Sequence, residues 1–194
     1  MAESDISKIK LTPFEKENIP LLIQWIQTPK FLLQWAGPGY SYPLTEEQVL
    51  AHIFSSSVSS GKTVILKAVL FDSGVTIGHG EILGIDTYQQ AAVLGRILIG
   101  PDEYRGKGYG LKLVQALTWY AFENFPIHRL GLNVFSYNTA AIECYRKAGF
   151  IKEGELRDAR YFEGEFISAT IMSLLRPQYT QLYKQEDHYC DKKQ

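Results

Sequence analysis

Three glycines alternate with other residues directly ahead of a helix-like segment, and this spacing suits the binding of a phosphate group. An apolar run (residues 96–100) precedes these glycines, and an amphipathic run (residues 111–125) follows them. A strand that passes through a glycine turn into a helix leaves main-chain N–H groups unpaired, and the helix dipole favours an anion there. Because glycine has no side chain, the main chain can come close to a ligand. The stretch predicted to bind phosphate reads Tyr104-Arg105-Gly106-Lys107-Gly108-Tyr109-Gly110-Leu111.

The glycine spacing differs from that of two common nucleotide-binding loops. A Walker loop needs Ser or Thr directly after its Gly-Lys pair, whereas Gly108 follows Lys107 here. A dinucleotide-binding fingerprint needs a third glycine where this chain has Leu113. The pattern that remains is Arg-x-x-Gly-x-Gly, which begins at Arg105.

The composition predicts one domain (residues 1–176) with a polar C-terminal tail or short helix (residues 177–194), because 194 residues suffice for a single core. A net charge of −1 gives no reason to expect binding to nucleic acid or to an acidic membrane. Cys144 and Cys190 cannot form a disulfide framework, and no Cys/His cluster has zinc spacing, so no metal is expected. We find neither a signal-peptide pattern nor an apolar run of membrane-spanning length, which predicts a cytoplasmic protein.

Hydrophobic periodicity predicts seven strands and four helices around the glycine stretch. The order is strand, two helices, three-strand meander, glycine loop, helix, strand, helix and hairpin. The predicted strands are residues 6–11, 63–71, 75–86, 91–100, 128–135, 150–157 and 166–175. The predicted helices are residues 18–27, a segment after Thr45, residues 111–125 and residues 139–148. Residues 34–43, rich in Gly, Pro and aromatic side chains, are expected to form either a substrate-binding loop or a plain connection.

A second motif lies within residues 132–150, from the end of the fifth predicted strand through the helix that follows it. It reads Asn-x-x-Ala-x-x-x-Tyr-x-x-x-Gly-Phe and runs from Asn138 to Phe150. Together with the Arg-x-x-Gly-x-Gly loop and the order of elements, it resembles the GNAT N-acetyltransferases over about residues 6–176. The phrasing of residues 101–110 and the Ser-Leu-Leu-Arg ending at residues 173–176 resemble the branch with ribosomal-protein alanine and serine N-acetyltransferases, which also contains acetyltransferases of small amines.

The resemblance implies an α+β fold with three layers: a mixed, mostly antiparallel sheet with helices on both faces, its fourth and fifth strands parallel and splayed. It also implies acetyl-coenzyme A (acetyl-CoA) as co-substrate. The fourth strand (Ile97, Leu98 and Ile99) would pair with the pantetheine arm, and the N–H of Leu98 or Ile99 would stabilise negative charge on the thioester oxygen. The diphosphate would lie on the amides of residues 106–111. The implied cofactor-binding residues are Ile97, Leu98, Ile99, Arg105, Gly106, Lys107, Gly108, Tyr109, Gly110, Leu111 and Asn138, with Lys107 equally well explained as a solvated side chain.

Two residues of the second motif have roles implied by the resemblance. Tyr145 would protonate the departing thiolate, and Asn138 would hydrogen-bond the pantetheine chain while also capping its helix. Seven residues separate them, so both lie on one helix face. A phenol is a modest acid toward a thiolate, so loss of Tyr145 should slow turnover rather than abolish it.

The residue that removes the proton from the amine is the least determined part of the site. Glu81 is the candidate catalytic base, with His79 on the same strand face. A structural role for each, or a water chain in place of a protein base, explains the sequence as well. Three aromatic residues and two acidic residues are candidates for the acceptor groove, namely Trp35, Tyr40, Tyr42, Glu163 and Glu165. The two acids would suit a cationic acceptor, and surface solubility explains them equally well.

The sequence therefore predicts an N-acetyltransferase that moves an acetyl group from acetyl-CoA to a primary amine by direct attack in a ternary complex. The acceptor is either a protein N-terminus or a small-molecule amine, and a homodimer is compatible with the sequence. Two alternatives stay open at this point: a non-catalytic acyl-CoA-binding module and a nucleotide-binding regulator.

Overall fold

The computed structural model describes the backbone of residues 9–58 and 62–190 and the side chains of residues 9–56 and 62–183. Within those ranges, seven strands form one sheet in the order β1-β2-β3-β4-β5-β7-β6. The strands are β1 (Ile9–Pro13), β2 (Lys62–Leu70), β3 (Thr76–Asp86), β4 (Ala91–Ile99), β5 (Arg129–Phe135), β6 (Ile151–Phe162) and β7 (Glu165–Leu175). Every neighbouring pair is antiparallel except β4 and β5, which are parallel. The predicted mixed sheet is confirmed.

The parallel pair β4–β5 opens after only a few residues. Its register holds over Ala91 to Val93 on β4, opposite Arg129 to Gly131 on β5. Further along β4, the register with β3 slips by one residue, and Arg96 has a positive φ of 48°. An extra residue of this kind is a β-bulge, which bends the strand and strengthens its twist. The bulge accompanies the predicted splaying of β4 away from β5 and leaves a cleft between them.

Six α-helices cover the two faces of the sheet in the described ranges. They are α1 (Ile19–Trp25), α2 (Pro29–Ala36), α3 (Glu46–Val58), α4 (Tyr109–Asn124), α5 (Thr139–Lys147) and α6 (Arg176–Cys190). Helices α1 to α3 enclose one buried cluster, which includes Leu98 of β4. Helix α4 packs on the other face with the main core, where Leu113, Leu117 and Ala121 are fully buried. None of the helices that the structure describes is long and apolar enough to cross a membrane.

Helix α2 is absent from the predicted order and replaces the start of the predicted loop at residues 34–43. Thr28 caps it, with its hydroxyl accepting a hydrogen bond from Phe31 N at 3.1 Å, and Pro29 occupies the first helical position. A capping Thr followed by Pro is a helix-start signal. The loop prediction was therefore wrong for residues 34–36, which belong to the last turn of this helix.

The two ends of the chain differ in part from the prediction. The first strand extends through Pro13, and its predicted start at residues 6–8 lies outside the described residues. The polar segment after residue 176 forms α6, and Tyr179 of this helix is only 2% exposed and stacks on Phe122. The domain boundary at residue 176 stays a prediction.

Candidate active site

A cavity of about 570 Å³ lies between the glycine loop, the outer half of β4 and helix α5. It collects most of the residues predicted to bind the cofactor, together with a few from α2, α4 and α5. Its lining is Phe31, Ile97, Leu98, Ile99, Arg105, Gly106, Gly108, Gly110, Leu111, Val114, Asn138, Ala140, Ala141, Glu143, Cys144, Tyr145 and Lys147. We call it the cofactor cavity. The two sequence motifs thus meet at one place, although a helix and a strand separate them in the chain.

The glycine loop presents unpaired amides to this cavity. Gly106 and Gly108 have φ of 71° and 84°, values that favour glycine, and Gly108 is the N-cap of α4. The first intrahelical bond runs from Lys112 N to Gly108 O at 3.2 Å, so the amides of the preceding three helical residues have no helical acceptor. A glycine N-cap has no side chain to accept from them. These amides and the positive end of the helix dipole make a suitable site for a diphosphate.

Of the three large side chains in the loop, Arg105 borders the cofactor cavity, whereas Lys107 and Tyr109 lie outside its lining. Arg105 donates from Nε to Ile99 O at 2.9 Å and from an Nη to Gly100 O at 2.6 Å, and it pairs with Asp102. Its guanidinium therefore anchors the loop to the end of β4. The Lys107 side chain is exposed and outside the cavity lining, and the Tyr109 ring packs edge-on against Tyr104. A phosphate contact by Lys107 stays a prediction.

Main-chain direction along β4 separates the two predicted oxyanion donors. Gly100 N donates to Ile77 O at 2.9 Å, so the Gly100 amide faces β3. Because direction alternates along a strand, the Leu98 amide also faces β3 and belongs to the sheet. The N–H and C=O groups of Ile99 face away from β3, and the Ile99 carbonyl accepts its hydrogen bond from Arg105 instead. Because β5 no longer pairs with β4 at this point, the Ile99 N–H faces the open cleft. Ile99 is therefore a better candidate than Leu98 for the oxyanion donor.

Helix α5 brings Asn138 and Tyr145 to the same wall of the cofactor cavity. Asn138 Oδ1 accepts from Ala141 N at 3.2 Å, which confirms the N-cap and leaves the side-chain amide nitrogen as a donor. Burial, with a smaller effect of Cys144, raises the pKa of Tyr145, so the phenol stays protonated across the physiological range. Burial likewise raises the pKa of the Cys144 thiol, which keeps it un-ionised and a poor nucleophile.

Glu81 is the centre of a buried polar cluster on the α1–α3 face of the sheet. Its side chain is 1% exposed, and Oε2 accepts from Arg96 Nη1 at 2.7 Å and from His52 Nε2 at 2.9 Å. Oε1 accepts from His79 Nε2 at 3.1 Å. Because a carboxylate only accepts, each of these ring nitrogens must carry a proton. The cluster joins α3, β3 and β4 at the bulge.

These contacts decide what chemistry suits Glu81. Burial alone would raise its pKa, but hydrogen bonds from His52 and His79, with the charges of His79 and Arg96, outweigh burial and hold the pKa well below its ordinary value. A carboxylate held as an anion by three donors takes a proton poorly. The carboxylate also lies outside the lining of the cofactor cavity and outside that of a second cavity at the cleft. Its predicted role as catalytic base stays a prediction, whereas its contact with Arg96 is direct.

A second cavity of about 240 Å³ lies on the other side of the bulge, and we call it the acceptor cavity. It adjoins the cofactor cavity along β4, because it uses residues 94–96 and the cofactor cavity uses residues 97–99. Most of its lining is apolar and comes from α2, β3, β4, β5 and the β6–β7 hairpin. The lining is Leu33, Gln34, Trp35, Ala36, Gly37, Pro38, Leu83, Val93, Leu94, Gly95, Arg96, Asn133, Val134, Phe135, Leu156, Ala159, Arg160 and Ala169.

Of the five residues predicted for the acceptor groove, the structure brings one to the acceptor cavity. Trp35 lines it and donates from Nε1 to Arg96 O at 2.8 Å, which ties α2 to the bulge. Tyr40 stacks on Trp35 behind the lining. Tyr42 is exposed and donates to Gln27 O. Glu163 and Glu165 are at the tip of the β6–β7 hairpin, outside this lining, so their place in the acceptor groove stays a prediction.

Three residues of the site were missed by sequence reasoning. Arg96 is a charged residue inside an apolar strand, which was a usable signal, since a charge is rarely buried without a partner. His52 lies on α3, and its partner Glu81 is 29 residues away, a pairing that no spacing rule reveals. Arg160 reaches the acceptor cavity because β6 continues to Phe162, beyond its predicted end at residue 157.

Comparison with known proteins agrees with this geometry. Residues 8–151, about three quarters of the chain, match the family described as acetyltransferase (GNAT) domain. The spermidine N(1)-acetyltransferase of Escherichia coli K12 is 27% identical over 177 residues, which span 91% of this chain and 90% of that protein. The aminoglycoside N(6')-acetyltransferase type 1 of Klebsiella pneumoniae is 24% identical over 75% of each chain.

Solved structures share the fold. The crystal structure of spermidine N-acetyltransferase from Vibrio cholerae in complex with CoA and spermine has a TM-score of 0.78 at 20% identity. The match covers 89% of this chain and 98% of that one. The resemblance to the ribosomal-protein branch is not specifically supported by these relatives. With a family match over most of its length, this chain belongs to the GNAT acetyltransferases and is an acetyl-CoA-dependent N-acetyltransferase of primary amines.

Proposed function

We propose that this enzyme acetylates a small-molecule primary amine held in the acceptor cavity, with acetyl-CoA in the cofactor cavity. The observation that carries the proposal is the meeting of the two cavities at the β4 bulge, where the strands part. A volume of about 240 Å³ suits a small molecule or the first residue of a peptide. The relatives named for spermidine and for aminoglycosides act on small-molecule amines, which supports a small molecule rather than a peptide as the acceptor.

The cofactor cavity fits acetyl-CoA by the chemistry of its donors. Unpaired amides at residues 109–111 suit the diphosphate, the Ile99 amide suits the thioester oxygen, and the Asn138 side chain suits the amide groups of pantetheine. Phe31, Ile97 and other apolar residues suit the aliphatic part of that arm. When bound there, acetyl-CoA supplies an acetyl thioester, whose C–S bond breaks as the new C–N bond forms.

The Tyr145 hydroxyl is proposed to face the departing sulfur, where the family resemblance implies a proton donor. Its raised pKa keeps the proton in place until negative charge develops nearby, and full transfer to a thiolate of ordinary pKa is uphill. The hydroxyl therefore contributes by hydrogen-bonding the sulfur as charge builds up. Within the described residues we find no hydrogen-bond partner for this hydroxyl, so it is available to a ligand.

Glu81 is proposed to position Arg96, and through Arg96 the bulge, while the amine loses its proton to water. If Glu81 is instead the catalytic base, the activity of Glu81→Gln should respond differently to pH, so this variant separates a catalytic role from a positioning role. A lost base is rescued at pH 10, where the free amine is abundant without help. A lost anchor is not rescued, because Arg96 stays displaced at pH 10 as well.

Release of CoA thiol from acetyl-CoA tests the proposed activity. Wild-type protein with a panel of small primary amines should release thiol in an amine-dependent and saturable way, and mass spectrometry should find the acetylated amine. A protein that binds acetyl-CoA in calorimetry but releases no thiol with any amine would support the non-catalytic module instead. A peptide panel with free N-termini tests the other acceptor class. A cytoplasmic location and a homodimer stay predictions.

A further inference from the structure

The acceptor cavity carries positive charge and no acidic side chain. Among the described residues that line it, the two ionisable ones are Arg96 and Arg160. The polar remainder, Gln34 and Asn133, is uncharged. Polycationic amines such as spermidine would place a second and third ammonium group beside these guanidinium groups, and like charges repel.

The two arginines differ in how far their charge is compensated. Arg96 is paired with the buried carboxylate of Glu81 and lies over the Tyr40 ring at 5.4 Å. Arg160 donates from Nη1 to the neighbouring carbonyl of Ala159, and no described acidic group forms an ion pair with it. The net charge at the cavity therefore comes from Arg160, which lies on the β6–β7 hairpin at its edge.

Acidic residues do occur nearby, but on another surface. Glu155 and Asp158 line a shallow depression on the same strand, which Arg160 also borders. The Glu155 carboxylate accepts from Ser136 Oγ at 3.1 Å and lies 3.6 Å from Lys152 Nζ. Neither carboxylate belongs to the acceptor cavity lining. Arg160 therefore stays the charge at the acceptor cavity that no described acidic group compensates.

We infer that the acceptor is a primary amine on an apolar body that carries a carboxylate, with Arg160 as the residue that recognises the anion. This inference rests on the proposed function of the same cavity. The apolar walls, with Trp35, Phe135 and Leu156 among them, accommodate the body. The Arg160 guanidinium, which has no described acidic partner, supplies donors that match a carboxylate. The chain thereby differs in acceptor class from the relatives that are named for spermidine.

Four primary amines test the inference. Two carry a carboxylate, 4-(aminomethyl)benzoate and L-phenylalanine, and two do not, benzylamine and spermidine. We expect kcat/KM for the better of the two carboxylate amines to exceed that of benzylamine by about tenfold, which corresponds to ~1.4 kcal/mol, the size of one charge-assisted hydrogen bond. Spermidine should be the poorest acceptor of the four. A higher kcat/KM for spermidine than for both carboxylate amines overturns the inference, as does an absent preference for carboxylate over benzylamine.

Variants of Arg160 test the residue itself. Arg160→Gln should cut the ratio of kcat/KM between the carboxylate amine and benzylamine by about tenfold, and Arg160→Glu should also raise the relative rate with spermidine. Arg157→Gln removes an exposed charge on the same strand, outside the acceptor cavity, and should leave that ratio unchanged. Equal ratios in wild type and Arg160→Glu contradict the assignment. Absent thiol release with all four amines, despite measurable acetyl-CoA binding, refutes the proposed function and this inference with it, whereas a spermidine preference refutes only the inference.

Discussion

The two cavities that meet at the β4 bulge are built in different ways. The groups proposed to bind polar parts of the ligand in the cofactor cavity come largely from the main chain: left-handed glycines, the unpaired amides at the start of α4 and an exposed peptide on β4, with a capping Asn beside them. The acceptor cavity is lined mostly by side chains from α2, β3, β4, β5, β6 and β7. One of its two arginines, Arg96, is held by Glu81, which in turn is held by His52 and His79. The first kind of site depends on backbone conformation, and the second depends on long-range pairing.

This difference determines what substitutions should do on each side. A change at the acceptor side that breaks the Glu81 cluster should disturb folding as well as turnover, because it leaves a buried charge unpaired. A change at the cofactor side should alter affinity for acetyl-CoA with little effect beyond the local backbone. The predictions that follow run from the largest expected effect to the smallest.

Glu81→Gln should destabilise the protein by about 3 kcal/mol in denaturant unfolding, because the pair with the fully buried Glu81 carboxylate is broken and the partly buried Arg96 loses the group that compensates its charge. Glu153→Gln is a matched control: its pair with Arg129 is more than a third exposed and should be worth less than about 1 kcal/mol. An equal loss for both variants would contradict the special place of the Glu81 cluster.

In Glu81→Gln, the free energy of unfolding should also depend less on pH in the acidic range. The pKa of Glu81 is lowered on folding, so its contribution is present above the ordinary pKa of 4.5 and is lost as pH falls through the lower folded value. Unfolding free energies of wild type should therefore fall between about pH 5 and the acid end by more than those of Glu81→Gln. Parallel curves would show that Glu81 has the same pKa in both states.

Tyr145→Phe should lower kcat by about 100-fold while leaving the KM for acetyl-CoA within about twofold, because only the interaction with developing charge on sulfur is lost. Tyr109→Phe is the control, since that ring packs on Tyr104 outside the cavity lining and its hydroxyl has no assigned role. An unchanged kcat in Tyr145→Phe would remove the phenol from the mechanism. Equal losses in the two variants would indicate a packing effect.

Gly106→Ala should weaken acetyl-CoA binding by about tenfold, because alanine at φ 71° costs about 1–2 kcal/mol and the loop relaxes away from the geometry that presents its amides. Gly164→Ala provides a closely matched control: it has φ 90° at the hairpin tip, and both glycines have open space where Cβ would lie. The two should lose similar stability, and only Gly106→Ala should change the Kd for acetyl-CoA. Unaltered binding by Gly106→Ala would show that the loop does not hold the ligand.

Asn138→Asp should raise the KM for acetyl-CoA about threefold at unchanged stability, the smallest effect of the series. Asp replaces Asn as an N-cap, so the bond from Ala141 N survives, while the donor nitrogen is replaced by an acceptor. Asn138→Ala should lose both and should also be less stable by about 1 kcal/mol. An Asp variant with wild-type KM would restrict Asn138 to the capping role.

How much of this site the sequence could reveal follows from the same difference between main chain and side chain. Gly106 and Gly108 are close in sequence, as are the cap at Asn138 and Tyr145 seven residues later, so the geometry within each motif follows from local rules. The fold then brings both motifs to one cavity. The helix start at Thr28 and Pro29 obeyed a local rule too and was overlooked beside the aromatic loop. The cluster of Glu81 did not follow from local rules, since its partners come from α3 and β4, and only packing brings them together. For the same reason the sequence does not determine how far the acids at the hairpin tip lie from the cleft, since that distance depends on the full length of β6.

The central claim is that amides at the start of α4 bind the diphosphate of coenzyme A. Calorimetric titration of the wild-type protein with coenzyme A and with pantetheine, which shares the arm and the thiol but lacks the diphosphate, tests it most directly. Two or more charge-assisted hydrogen bonds to phosphate predict a Kd for coenzyme A at least about 100-fold lower than that for pantetheine. Equal affinities for the two ligands, or no detectable binding of coenzyme A, would contradict the claim.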